Sequence, residues 1–185
     1  MGTKVLMVPG LYNSGPEHWQ TLWQPQLAEC FRIEQRDFDH AVCPEWVANI
    51  EAAIRVHGED SVLVGHSCGC AAIAHWAAQT KLKVAGAVLV APSDVEREGF
   101  PSDAVGFAPM PMRRLRFRSL VVASSDDPYL SVERAGQFAA AWGAELVNIG
   151  AAGHINTSSG YGPWPQGLGL LQEFVAALKN SVSGE

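Results

Sequence analysis

Ser67 stands between two glycines in Gly65-His66-Ser67-Cys68-Gly69, a setting that can turn a poor nucleophile into a useful one. A hydroxyl attacks a carbonyl carbon only when a base takes its proton and donors catch the oxyanion that forms. A sharp strand-to-helix turn meets half of that need. It lifts the serine side chain clear of the backbone and aims the amide of the next residue, Cys68, at the same spot. The flanks suit such a turn. Ser61-Val62-Leu63-Val64 reads as a buried strand, and Cys70 to Ala78 is alanine-rich with no internal Gly or Pro, which reads as a helix. Gly65 and Gly69 would let the two backbones approach closely around a residue held in strained geometry.

The base is found by sorting the six histidines. His66 precedes the serine and should point away across the turn. His75 lies two turns down the following helix, more than about 10 Å along its axis. His18, His40 and His57 precede the serine, whereas a strand-turn-helix nucleophile of this kind takes its partners in the order serine, acid, histidine. His154 remains, in the loop Gly150-Ala151-Ala152-Gly153-His154 directly after the last predicted strand. For the acid, Asp126 and Asp127 follow Leu120 to Ala123, and Asp94 follows the strand ending at Val90. The turn at Pro128 would fix Asp127 most firmly, as an acid that must lock a histidine tautomer requires. Asp126 is then expected to cap the turn or the next helix, and Asp94 is the second candidate. The other oxyanion donor is expected from the loop after the first strand, at the amide of Leu11 or Tyr12. Trp19, Trp23, Trp164 and Asn156 are candidates for pocket walls, although large aromatics also anchor loops to a core.

These residues need a frame that delivers them to one place. Strands are expected at Lys4 to Val8, Phe31 to Arg36, before the turn at Ser67, at Val84 to Val90, Ser119 to Ala123 and Glu145 to Ile149. Helices are expected at Glu17 to Cys30 with an imperfection at Pro25, from Pro44 to Ile54, after Ser67, at Val132 to Trp142 and at Gly167 to Lys179. The near-continuous apolar strands belong in a parallel sheet covered on both faces. The alternation therefore implies an α/β three-layer sandwich with a mostly parallel central sheet, formed as one domain over residues 1–185, with 180–185 as a frayed tail. Asp94 to Ala108 is the longest irregular stretch and the one place for a partial lid. Four arginines crowd Arg113 to Arg118, where Leu115 and Phe117 are expected inward and the arginines outward.

Composition excludes several partners. A formal charge of −6 argues against nucleic acid or an anionic membrane surface. The apolar run Val5 to Val8 is too short for a leader or a membrane span, so a cytoplasmic protein is expected. Cys30, Cys43, Cys68 and Cys70 show no CxxC spacing and read as free thiols, with no metal or cofactor expected.

Val8-Pro9-Gly10, Glu17-His18-Trp19 with Trp23, Gly-His-Ser-Cys-Gly, Ser124 to Tyr129, and Gly153 to Asn156 followed by Ser159 to Pro165 together resemble the small serine hydrolases related to retinoblastoma-binding protein nine, especially their bacterial members. The resemblance spans nearly the whole chain. It implies a compact α/β-hydrolase fold without a cap domain, a nucleophile at Ser67, an acid at Asp127 and a base at His154. The first loop departs from larger hydrolases in beginning Pro9-Gly10 where they carry His-Gly. The expected activity is cleavage of a small-molecule ester, thioester or similar acyl bond, an esterase-like reaction. A partner-binding protein with a vestigial site, and a lyase or acyltransferase on the same triad, are the alternatives.

Overall fold

The computed structural model describes residues 3–182. Six strands, β1 (Val5–Val8), β2 (Cys30–Arg32), β3 (Val62–His66), β4 (Gly86–Val90), β5 (Arg118–Ala123) and β6 (Glu145–Asn148), form one sheet in the order β2-β1-β3-β4-β5-β6. Every neighbouring pair is parallel, so the sheet is wholly rather than mostly parallel.

Side-chain alternation along the strands builds two cores, one on each face. Leu6, Leu63, Leu89 and Val121 face α2 (Cys43–His57), α3 (Cys68–Gln79) and α4 (Val132–Trp142). Met7, Val64, Val88 and Val122 face the opposite way, toward α1 (Trp19–Trp23) and α5 (Pro165–Val182). Both faces are covered, which explains why the central strands read as unbroken apolar runs. Parallel pairing also brings all strand carboxyl ends to one edge, where the loops after β1, β3, β4, β5 and β6 meet.

Three expectations need correction. The helix over Glu17 to Cys30 shrinks to five residues and a 3₁₀ turn at Gln24–Gln26. Pro25 has no N–H to extend the α-helical ladder, and the chain straightens into β2. That edge strand covers Cys30–Arg32 instead of Phe31 to Arg36. At the other end, α5 runs on to Val182 where fraying was expected from 180; residues 183–185 lie outside the described part. The stretch between β4 and β5 carries no helix or strand of its own, so nothing in it forms a separate cap. Among the described residues no helix is long and apolar enough to cross a membrane.

Candidate active site

Between β3 and α3 the backbone of Ser67 adopts φ +56° and ψ −125°, a conformation that costs a non-glycine residue on the order of 1–3 kcal/mol. Packing enforces it. A Cβ on Gly69 would stand 2.3 Å from the Val8 carbonyl oxygen, and one on Gly10 would stand 2.8 Å from the Ser67 Cβ. The helix can therefore sit against the end of β1 only because both positions lack a side chain. Ser67 donates its own amide to the Val90 carbonyl at 3.0 Å, which ties the turn to β4.

The His154 imidazole meets the serine from the loop after β6. Its Nε2 lies 2.8 Å from Ser67 Oγ, and its Nδ1 lies 2.9 and 3.0 Å from the two carboxylate oxygens of Asp127. A carboxylate accepts and cannot donate, so this network assigns the proton to Nδ1 and leaves Nε2 as the acceptor for the serine hydroxyl. The Asp127 side chain is only 1% exposed, and it also accepts the Tyr129 amide at 2.9 Å.

The other two carboxylates stand elsewhere. Asp126 Oδ1 accepts the amides of Ala152 and Gly153 at 2.8 and 2.7 Å and the Ser124 hydroxyl at 2.8 Å. It thus caps the histidine's own loop, not the next helix, and these donors, Ser124 first, hold its carboxyl below the usual range. Asp94 makes an ion pair with Arg134 at 3.2 Å and anchors its own loop there, away from the imidazole.

Further bonds hold the His154 loop. Ser159 Oγ accepts the His154 amide at 3.1 Å, and Trp19 Nε1 donates to the Ile155 carbonyl at 2.8 Å. His66, expected to point away from the serine, donates from Nε2 to the His154 carbonyl at 3.0 Å. Burial, followed by the His154 and His18 charges, pushes the His66 imidazole well below its ordinary value, and the neutral ring still donates when Nε2 carries its proton. Burial, followed by the Arg32 and His154 charges, likewise lowers His18 from 6.5 to about 4.

Beside Ser67 opens a cavity of about 480 Å³, walled by Leu11, Tyr12, His18, Tyr129 and Asn156 and by Arg97, Gly99, Phe100 and Pro101 of the long irregular stretch. That stretch is one wall of the site, at the position where a partial lid was expected. The Tyr12 amide is already spent on the Phe38 carbonyl at 3.0 Å, which removes it as an oxyanion donor and leaves Leu11 from that loop. Residues 5–173 match the family described as serine hydrolase.

The chain belongs to that family. This serine hydrolase is 38% identical to a YdeN-like hydrolase from Pectobacterium atrosepticum, over 95% of this chain and 92% of that one, with a TM-score of 0.84. The ydeN gene product of B. subtilis superposes with a TM-score of 0.77 at 18% identity, over 95% of this chain and all of that one. Thermogutta terrifontis esterase 2, in a form phosphonylated by cyclosarin, superposes with a TM-score of 0.73 at 17% identity, over 95% and 83%. At such identities the last two establish the α/β-hydrolase fold alone. No curated protein sequence matches the chain.

Of the four pocket candidates in this serine hydrolase, the three tryptophans take the alternative role of anchoring loops to the core. Trp19, Trp23 and Trp164 do not line the cavity; they pack on one another beneath it, with ring centroids 4.5 Å apart for Trp19 and Trp23 and 5.5 Å for Trp23 and Trp164. Their apolar area belongs to the core under α5, while the Trp19 and Trp23 indole N–H groups brace main-chain carbonyls in the base loop and after it. Asn156 does line the cavity, and its side chain also accepts the Ser159 amide at 3.1 Å. The arginine-rich approach to β5 stays outside the site. Arg118 pairs with Glu145, Arg113 and Arg116 donate to carbonyls at the end of α3 and just beyond it, and Leu115 is buried. All four cysteines are free, and no cluster of three His, Cys, Asp or Glu residues among the described residues is placed to hold a metal.

Sequence reasoning missed one residue at Ser67 Oγ. Ser93, just after β4, places its hydroxyl 2.8 Å from Ser67 Oγ. A lone serine in Ala91-Pro92-Ser93-Asp94 carries no spacing signal, and only the pairing of β3 with β4 brings it there.

Proposed function

We propose that this serine hydrolase cleaves carboxylic esters or thioesters of small molecules through an acyl-enzyme on Ser67, with His154 as base and Asp127 as the acid that orients it. One observation carries the reading: the unbroken hydrogen-bond chain from Ser67 Oγ through both ring nitrogens of His154 to a buried carboxylate.

His154 Nε2 takes the Ser67 proton as Oγ bonds to the substrate carbonyl carbon. Asp127 holds the Nδ1–H and stabilises the imidazolium. The amides of Cys68 and Leu11 receive the oxyanion, each worth on the order of 3 kcal/mol in the transition state. The imidazolium then passes its proton to the departing alcohol or thiol. Water, deprotonated by the same imidazole, attacks the acyl carbon, and Ser67 regains its proton as the acid leaves. A cavity of about 480 Å³ suits a small acyl substrate.

A panel of chromogenic esters and thioesters tests this against wild type and Ser67→Ala. Turnover should fall about a million-fold in the folded variant. A fluorophosphonate should form its adduct on Ser67 of the wild type. Retention of most turnover in Ser67→Ala, or a folded wild type that takes no adduct, would overturn the reading.

A further inference from the structure

Ser67 Oγ has two hydrogen-bond partners at the same distance, His154 Nε2 and Ser93 Oγ, each 2.8 Å away. The hydroxyl has a single proton to give. Because Asp127 holds the Nδ1–H of His154, that proton goes to Nε2, and the bond to Ser93 must run the other way, from Ser93 to Ser67. We infer that Ser93 is a further catalytic residue of this site, a hydroxyl donor to the nucleophile's oxygen that stabilises it whenever it carries negative charge. The inference rests on the reading of Ser67 as nucleophile.

The local backbone is built to hold this contact. Ser93 is 6% exposed, and its amide also donates to the Ser67 carbonyl at 3.4 Å, so the two serines are joined through main chain and side chain alike. Two residues earlier, Ala91 adopts φ +45°, a left-handed conformation that a non-glycine residue takes up only when its surroundings impose it. Strained turns therefore end both β3 and β4, and the pair of hydroxyls lies between them. On the far side, Asp94 is fastened by its amide to the Tyr129 carbonyl and by its carboxylate to Arg134.

In acylation the Ser67 proton moves to His154 Nε2, the Oγ–carbon bond forms, and Ser93 keeps its own proton while its O–H dipole faces the charge building on Oγ. In deacylation the Oγ–carbon bond breaks and the same dipole meets the charge returning to Oγ before His154 reprotonates it. Hydrogen bonds to charged groups of this kind are worth about a 10- to 100-fold change in rate.

Fluorophosphonate labelling of Ser67, followed over time and across pH, tests the assignment with wild type, Ser93→Ala and Ser93→Thr. Ser93→Ala should melt like wild type yet label about 10- to 100-fold more slowly on the high-pH plateau, with the midpoint of the pH profile unmoved. Ester turnover should fall by a similar factor with KM unchanged. Ser93→Thr, which retains the hydroxyl, should recover most of the rate. A Ser93→Ala plateau within two-fold of wild type overturns the inference and leaves the Ser67 reading intact. A Ser93→Thr variant that folds but is as slow as Ser93→Ala also overturns it, because space and not the donor would then matter. A wild type that takes no label at Ser67 sinks both readings together.

Discussion

The nucleophile turn and the base loop meet across 2.8 Å but are held by different means. Around Ser67 the shape comes from main chain and missing side chains: a strained φ, an amide bonded to β4, and two glycines pressed against neighbouring backbone or the serine itself. Around His154 it comes from polar side chains, with Asp126, Ser124, Ser159, His66 and Trp19 all bonded to the loop's amides or carbonyls. The first kind of support fails when volume is added. The second fails when a polar atom is removed.

After loss of the serine itself, the largest expected effect lies on the polar side, at the acid. Asp127→Asn keeps the size of the side chain but can no longer enforce the tautomer that leaves Nε2 free, and turnover should fall about 10⁴-fold in a folded protein. Wild-type-like rates with any ester would remove Asp127 from the triad. Gly69→Ala comes next and breaks the steric side. The added carbon, 2.3 Å from the Val8 oxygen, must drive α3 away from β1, so stability should drop by about 3 kcal/mol and turnover by about 100-fold. Calorimetry and esterase assays read the two losses; an unshifted melting temperature would show that the turn can give.

Asp126→Ala should leave the fold standing yet loosen the base loop, lowering kcat about 10- to 100-fold, whereas Asp126→Asn, which keeps an acceptor, should lie much closer to wild type. Equal losses in the two would mean that charge, and not acceptance of the loop amides, matters. The smallest effect is on pH dependence. His18 and His66 have folded-state values below that of a free histidine, so between about 6.5 and 4 the unfolded chain binds more protons than the folded one. Stability should therefore decline as pH falls through that window. His66→Gln, which can still donate to the His154 carbonyl without titrating, should show a shallower decline in melting temperature.

Much of this arrangement was legible before any coordinates, for a definite reason. Ser67 and Asp127 each follow a buried apolar strand and His154 follows the exposed edge strand β6, and parallel order sends all three loops to one edge. What escaped depended on packing direction or on competition for a partner. The tryptophans could have faced cavity or core, and only the placement of α1 beneath the base loop decides. Leu11 and Tyr12 are equivalent in sequence until Phe38 claims one amide. Asp126 and Asp127 are neighbours whose side chains diverge, one to the loop backbone and one to the imidazole. The helix expected across Pro25 failed because the pull of β2 toward the sheet edge cannot be read from composition.

Two thiols stand beside Ser67 without lining its cavity. Cys68 and Cys70 are fully buried, and burial pushes both thiols well above their ordinary range, so at neutral pH neither presents a thiolate. Alkylating agents and mild peroxide act on thiolates within reach, and here both find the nucleophile's closest sulfur atoms sealed in the core. Burial thus keeps the two cysteines next to Ser67 out of the thiolate chemistry that their position on the turn would otherwise invite.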